Sequence, residues 1–200
     1  MSEMSDTRKR GMYMQLDTEG NLDRVTKLLA GFPHGADKAI GSALKRAASS
    51  GETVAAKALT KEYYLKQGDF KKYTLTKRGK TATSTAAGTL VEINYYGIHI
   101  PLIRFDTHIG KDGHIVTRVK RSSARKTINN AFKAQFGSHV GIYERVGEKR
   151  FPIRELPGPS TPQMMENNEN VTDEMEERIR ETFEKRLDHE TTAILNGWRK

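Results

Sequence analysis

The chain has 200 residues, of which 36% are hydrophobic, and it contains one tryptophan and no cysteine. A chain of this length buries a substantial apolar core, so we expect one medium domain with polar extensions. The lack of cysteine excludes disulfides, thiolate zinc sites, iron–sulfur clusters and a cysteine nucleophile. Stability must therefore come from packing or from assembly.

The net charge of +9 is unevenly distributed along the chain. Residues 1–160 hold 28 Lys and Arg against 15 Asp and Glu, whereas residues 161–200 hold 6 against 10. A basic body suits a polyanion such as DNA, and an acidic terminal segment suits the basic face of another copy. Composition alone leaves both partners open.

The sequence carries no membrane or secretion signal that we recognise. Residues 1–10 lack the apolar region that a secretory signal requires. The most apolar stretch, residues 98–105, is far shorter than a membrane span and is interrupted by His99 and Arg104. We therefore expect no membrane partner and a protein that stays in the cytosol in which it is made.

The predicted elements begin after a polar N-terminal arm, residues 1–20. Apolar residues spaced three and four apart predict an amphipathic helix over residues 21–32, which Pro33 ends. A longer helix is predicted over residues 36–65, with small residues on its apolar side that allow another element to approach closely. Gly51 weakens the middle of this helix and is a candidate bend.

Runs rich in β-branched and aromatic residues follow the two helices and predict strands. They cover residues 73–76, 89–96, 99–105, 114–120 and 140–145, with a Pro-limited edge segment over 151–156. Gly110–Gly113 is the turn signal of a hairpin. Residues 124–136 return to helical spacing and predict a short helix. The simplest interpretation is that these strands form one antiparallel sheet.

The C-terminal part of the chain is predicted to be a linker followed by a helix. Pro157–Pro159 is expected to end regular structure, and residues 161–170 have the Asn, Ser, Thr and Pro content of a linker. From residue 171 to residue 200 an apolar stripe recurs mostly every four residues among charged faces. We predict an α+β fold, in which the body (21–160) is an antiparallel sheet packed with N-terminal helices and with the long C-terminal helix.

The sequence offers little support for a catalytic or metal site. Three of the six histidines and two aspartates lie close together in the sequence: His99, Asp106, His108, Asp112 and His114. The turn Gly110–Gly113 lies among these residues. The sequence contains no compact zinc-ligand helix, no Gly-x-Ser-x-Gly elbow and no phosphate-binding Gly-rich loop. We predict no catalytic residue, no metal and no cofactor, and a metal-dependent hydrolase built around His108 is the lowest-ranked alternative.

Clusters of basic residues are the remaining feature that suits a partner. They comprise Lys71 and Lys72, then Lys77, Arg78 and Lys80, then Arg118, Lys120 and Arg121, then Arg125 and Lys126. No helix-turn-helix, zinc-finger or aromatic RNA-binding pattern accompanies them, so we expect no sequence-specific readout. Solvated faces or protein contacts are the favoured interpretation. The alternative is nonspecific DNA contact through Lys77, Arg78, Lys80, Arg118, Lys120 and Arg121.

Several segments together carry a resemblance to a known family. They are Ile98–Phe105, Ala131–Ala134, Val140–Arg145, Phe151–Ser160 and Phe183–Glu190, extended upstream by Val54–Ala58 and Leu65–Lys72. In this order they resemble the prophage minor tail protein Z family over most of the chain. The N-terminal arm departs from the family pattern.

The resemblance implies a structural protein that completes the tail of a long-tailed bacteriophage. Such a protein is assembled in the bacterial host cytoplasm, lies at the head-proximal end of the virion tail and makes the tail competent to join a filled head. The resemblance also implies a homohexameric ring with heterologous contacts, next to tail terminator or tail tube proteins and head–tail connector proteins. The expected assembly contacts are Phe183, Leu187, Leu195 and Trp198. A basic nonspecific nucleic-acid-binding protein is the alternative function.

Overall fold

A computed structural model of the chain describes residues 10–16, 20–79, 84–85, 88–89 and 91–198, with side chains for residues 20–75 and 93–198. Most of the predicted N-terminal arm lies outside the described residues, as do Lys80 and the side chains of Lys77 and Arg78. Within the described ranges the fold is α+β, as predicted, with helices near the N-terminus and one long helix at the C-terminus.

The helices match the prediction at both ends of the chain. The described helices are α1 (Asn21–Leu28), α2 (Gly35–Glu62), α3 (Gln67–Tyr73), α4 (Thr161–Glu166) and α5 (Glu169–Leu195). A 3₁₀ turn covers Leu102–Arg104. The amphipathic patterns that predicted α1, α2 and α5 are thus confirmed, whereas α3 and α4 were not predicted.

The strands are short and numerous. The described strands are β1 (Arg10–Leu16), β2 (Thr74–Gly79), β3 (Ser84–Thr85), β4 (Gly88–Thr89), β5 (Val91–Gly97), β6 (His99–Pro101), β7 (Asp106–Ile109), β8 (Ile115–Arg118), β9 (Lys126–Ile128), β10 (Ala131–Phe136), β11 (His139–Arg145), β12 (Ile153–Glu155) and β13 (Pro157–Ser160). Strand β1 lies within the predicted N-terminal arm and pairs with β5 at the edge of a sheet.

The strands form several small sheets instead of the single sheet expected. Their orders are β1-β5-β2, β7-β8-β9 and β10-β11-β12, with the pairs β13-β6 and β3-β4. Every pair whose register is described is antiparallel, which confirms that part of the prediction. The predicted turn joins β7 to β8, where Gly113 has a φ of 81° and the Gly110 amide donates to the His114 carbonyl at 2.7 Å.

The described chain divides into two compact units. The first unit contains Arg10 and residues 56–75 and 97–167, and the second unit contains residues 11–55, 76–96 and 168–198 of the described chain. The division differs from the predicted body, linker and tail, because α5 belongs to the same unit as α1 and most of α2.

Helices α2 and α5 pack against each other in the second unit. Ser42 donates to the Glu190 carboxylate at 3.0 Å, and Arg178 donates to Ser50 at 3.1 Å, so residue numbers rise along α2 as they fall along α5. The two helices therefore run antiparallel. Small side chains line the buried side of α2 as predicted: Ala39, Ala43, Ala47, Ala48 and Ala55.

Gly51 marks a close contact in the second unit and not a break in α2, because the helix continues without interruption from Gly35 to Glu62. A Cβ atom at Gly51 would lie 2.5 Å from the Ile179 Cδ1 atom of α5 and 3.0 Å from the Tyr95 hydroxyl. That hydroxyl donates to the Ala48 carbonyl at 3.0 Å, which attaches β5 to the same helix.

The apolar stripe of α5 supplies core to the second unit. Its members with an exposure of 5% or less are Val171, Met175, Ile179, Phe183, Leu187 and Ile194. Phe183 and Leu187, which were expected to contact a neighbouring chain, are each only 2% exposed and are core residues of their own chain. That expectation was wrong, because the sequence pattern identifies an apolar face without identifying what covers it.

The first unit has a small core where its sheets meet. Ile115, Ala131 and Ile142 are buried together, with Ile103, Ile128 and Leu156 packed against them. The helix predicted over residues 124–136 is wrong, since this segment forms β9 and β10. Ala131 and Phe132 point to opposite faces of β10. Pairing with β11 supplies the backbone hydrogen bonds that a helix would otherwise form within the segment.

The predicted linker, residues 161–170, contains α4 and the start of α5. Ser160 and Gln163 form a reciprocal capping box, in which each side chain bonds the backbone amide of the other residue. Met164 and Met165 of α4 are fully buried. The Ser, Thr and Pro residues therefore signal a helix N-terminus here, and the linker prediction was wrong.

The two segments before α4 are both strands, β12 and β13. Among the described strands, β12, within the edge segment 151–156, pairs with β11 alone and is an edge strand, as expected. Pro157–Pro159 was expected to end regular structure, yet it lies in β13, which pairs with β6. Proline is compatible with this position because β13 has a single partner strand, so one side of its backbone needs no ladder bonds.

Candidate functional site

The residues that follow β8 bring a basic segment, residues 118–126, to the C-terminal end of α2 in the first unit. The Tyr64 amide donates to the Val119 carbonyl at 2.9 Å. The Arg121 amide donates to the Glu62 carbonyl at 2.7 Å. These bonds satisfy backbone groups that the helix end leaves free, and they hold the segment in a defined position.

Five side chains meet at this position and form what we term the arginine–tyrosine cluster: Tyr64, Asp106, Arg118, Arg121 and Arg125. Arg118 donates from Nε and Nη2 to the Asp106 Oδ2 atom, each at 3.2 Å. Arg125 donates from Nη2 to the same oxygen at 3.2 Å. The guanidinium carbons of Arg118 and Arg121 each lie 4.3 Å from the centroid of the Tyr64 ring, which is cation–π distance.

Positive charge exceeds negative charge around the cluster. Residues 118–126 contain five Lys and Arg and no Asp or Glu. Asp106 compensates Arg118 and Arg125, whereas among the described residues no carboxylate lies within ion-pair distance of Lys120, Arg121 or Lys126. The segment therefore presents uncompensated cations to the solvent.

The cluster also controls the ionisation of Asp106. Burial acts to raise the pKa of Asp106, but the hydrogen bonds from Arg125 and Arg118, together with the charges of these residues, outweigh burial and lower the pKa below its ordinary value. Asp106 is thus a firmly ionised anchor for two arginines.

Asp106→Asn is expected to lower stability at neutral pH by up to about 1 kcal/mol for each of the two partly exposed ion pairs that it removes, with Arg118 and with Arg125. A carboxylate whose pKa is lowered by folding stabilises the fold above its unfolded pKa, about 3.9, and that contribution is lost as pH falls through the lower folded pKa. The difference in melting temperature between wild type and Asp106→Asn should therefore shrink below about pH 4. A constant difference from pH 7 to pH 2 would contradict the ion pair.

Some of the predicted basic residues lie together in the structure, whereas the side chains of others lie outside the described residues. Arg118 and Arg121 contact Tyr64, and the Lys120 Nζ atom lies 5.4 Å from the ring centroid of Tyr63. The predicted Lys77, Arg78 and Lys80 lie outside the described side chains. Sequence reasoning missed Tyr64, because no sequence signal links so distant a residue to the basic run. It considered Asp106 only as a metal ligand, whereas Asp106 pairs with Arg118 across the β7–β8 hairpin.

The histidines and acids considered as metal ligands do not converge. His108 and Asp106 lie on one face of β7, with His108 Nδ1 and Asp106 Oδ1 3.9 Å apart. His99 bonds instead to the Gly158 carbonyl, and Asp112 accepts from the His114 amide. Within the described ranges no group of three or more His, Asp or Glu side chains is placed to hold a metal ion. No described helix is long and apolar enough to cross a membrane.

The first unit has an aromatic face on its β10-β11-β12 sheet. Phe132 pairs with Tyr143 across the strands, and Phe136 lies on the same face as Phe132. The Phe136 ring meets the Tyr143 ring edge to face at 5.1 Å, and Phe136 remains 47% exposed. Burial first, and then the charge of Glu155, raise the pKa of Tyr143, so its hydroxyl stays protonated at neutral pH.

The second unit has an apolar C-terminal end, formed by Leu195 and Trp198. Leu195 is 44% exposed and Trp198 is 75% exposed. The Trp198 amide donates to the Ala193 carbonyl and the Gly197 amide donates to the Ile194 carbonyl, with Gly197 at a φ of 70°. This is a Schellman motif, so the main chain at the exposed Trp198 is fixed by the end of α5.

No protein-family model, curated protein or solved structure matches the chain. Function is therefore inferred from the residues of the chain and from their geometry.

Proposed function

We propose that this chain is a structural tail-completion protein of a long-tailed bacteriophage, which assembles as a homohexameric ring at the head-proximal end of the tail. The segments that resemble the minor tail protein Z family support the tail role. Tail tube or tail terminator proteins and head–tail connector proteins are the proposed neighbours. The role requires binding surfaces and no catalysis.

The observation that carries the assembly proposal is the exposed Trp198 at the fixed end of α5. Tryptophan is the residue most often found at the energetic centre of protein interfaces. The capping motif fixes the main chain of Trp198 before binding, so only the side chain has to be ordered at an interface. We therefore expect Trp198 and Leu195 at the interface, in place of the buried Phe183 and Leu187.

A ring also needs a second and different surface, because heterologous contacts join unlike patches of neighbouring copies. The aromatic face of the first unit, with the exposed Phe136, supplies a candidate. Charge favours a contact between unlike units of two copies. Residues 56–75 and 97–167 hold 17 Lys and Arg against 8 Asp and Glu, whereas α5 holds 4 against 9.

Trp198→Ser is expected to convert the ring to monomers without unfolding the chain, because the side chain is exposed in the single copy. Light scattering behind size exclusion, on nuclease-treated protein in moderate and high salt, measures the mass. Wild type should show a sixfold mass that survives high salt, since apolar contacts are little screened. Ile109→Ser is the matched control, as Ile109 is 56% exposed on the β7–β8 hairpin. A sixfold mass that persists in Trp198→Ser would contradict this interface.

The position in the virion is tested separately. Antibody against the chain should label purified phage tails at the head-proximal end only. Labelling along the whole tail, or none, would contradict the tail-completion role. A truncation that removes α5 is unsuitable, because Phe183 and Leu187 belong to the core; removal of residues 197–200 is the appropriate deletion.

A further inference from the structure

The arginines of the arginine–tyrosine cluster are arranged to bind an anion from the solvent. Arg121 and Arg125 are exposed, and the Arg125 side chain is 52% exposed. Arg125 uses one nitrogen, Nη2, on Asp106, which leaves its other donors available. Arg121 makes no hydrogen bond or ion pair to any described side chain, and its guanidinium lies against the Tyr64 ring. Stacking uses the flat face of the guanidinium, so the donors at its edge remain available.

The cluster is also ordered before any ligand binds. The main chain of the segment is bonded to the end of α2 at Tyr64 and Glu62. The Arg118 side chain is only 24% exposed and is held by Asp106 and Tyr64, so it acts as a fixed support. Ordering an arginine on binding is costly in entropy, and a stacked and bonded arginine has already lost much of that freedom.

The distribution of charge favours a ligand with several anionic groups. Five cations lie within residues 118–126, and they continue past the cluster into β9 with Lys126, which is also exposed. A single phosphate or carboxylate would occupy one or two of them. Consecutive phosphates of a nucleic-acid backbone match such a strip, and guanidinium groups bind phosphate oxygens in a bidentate manner.

We propose that Arg121, Arg125 and Lys126 bind the phosphodiester backbone of nucleic acid, with Tyr64 and Asp106 as positioning residues. No helix of the described chain presents these cations to a groove, so binding depends on phosphates and not on base sequence. The inference goes beyond the ring and does not depend on it. The competing occupant, the acidic α5 of a second copy, is distinguished by the test.

The test is fluorescence anisotropy of a labelled duplex of arbitrary sequence with the nuclease-treated full-length chain between about 50 and 200 mM salt. Wild type should bind with a steep salt dependence. Arg121→Ala/Arg125→Ala is expected to weaken binding about tenfold or more and to reduce the slope of log affinity against log salt by about 2, one for each lost phosphate contact. Single-stranded DNA of the same length, measured in parallel, identifies which form the strip prefers.

Two variants separate a specific site from general positive charge. Lys111→Ala/Lys149→Ala removes the same charge from exposed positions of the first unit and should change affinity less than about threefold. Tyr64→Leu keeps every charge but removes the stacking ring, so it should weaken binding several-fold at an unchanged salt slope. If Arg121→Ala/Arg125→Ala lowers the melting temperature, the single variant Arg121→Ala, whose side chain does not bond Asp106, carries the test.

Three results would overturn the proposal. The first is that wild type does not bind the duplex at the lowest salt. The second is that both double variants lose affinity equally, which would indicate diffuse electrostatics. The third is that Arg121→Ala/Arg125→Ala retains DNA affinity but loses the ring mass in light scattering, which would assign the cluster to the acidic helix of a second copy.

Discussion

Phe183→Ala is expected to lower the free energy of unfolding by about 3–5 kcal/mol, the largest single effect that we predict for this chain. Phe183 lies in the middle of the α5 stripe and is 2% exposed. Truncation removes the transfer free energy of the ring and leaves a cavity against packed neighbours. The expected loss is larger than the contribution of any exposed ion pair of α5, because such a pair contributes at most about 1 kcal/mol.

Urea unfolding followed by far-UV circular dichroism measures the effect of Phe183→Ala. Trp198→Ala is the matched control, because it truncates an aromatic residue near the same helix that is 75% exposed; it should change stability by no more than about 0.5 kcal/mol. The two variants thus separate folding from assembly. Phe183→Ala with unchanged stability but a lost ring mass would restore Phe183 as an interface residue and would contradict the packing of α5.

Gly51→Ala is expected to destabilise the second unit by about 1–3 kcal/mol through overpacking. The new Cβ atom would lie 2.5 Å from Ile179 Cδ1 and 2.6 Å from Ile179 Cγ1. Ile179 is fully buried, so its side chain cannot move aside into solvent. The new Cβ atom would also lie 3.0 Å from the Tyr95 hydroxyl, which donates to the Ala48 carbonyl of the same helix.

Gly41→Ala is the matched control in the same helix. A Cβ atom at Gly41 meets nothing within 4 Å. The substitution should therefore show only the helix-propensity gain of alanine over glycine, about 1 kcal/mol. Thermal unfolding should shift in opposite directions for the two variants. A gain in stability for both would mean that the contact between α2 and α5 is looser than the structure indicates.

The exposed Trp198 and the uncompensated Arg121 have a common physical basis. Each is held by local backbone bonds, the first by a capping motif and the second by the end of α2, and each leaves its binding atoms exposed. Surfaces fixed in this way bind with a low entropic cost. One is apolar and the other is cationic, so they suit partners of different chemistry.

The sequence by itself determined the elements whose signals are local. The spacing of apolar residues predicted α1, α2 and α5 because a helical face repeats within a few residues. The glycines of residues 110–113 predicted the β7–β8 hairpin because the turn geometry depends on those residues alone. The basic run 118–126 was visible for the same reason, as was the small-residue side of α2.

Only the tertiary structure decided which partner each of these features meets. Residues 124–136 fit a helix by spacing, but β11 offered strand pairing and a core contact for Ala131. The α5 stripe could pack on its own unit or on a neighbour, and α2 covers it. Tyr64 reaches the basic run only through folding, since it lies 54 positions before Arg118. Periodicity records that a face is apolar or charged, but contacts between distant residues determine what covers that face.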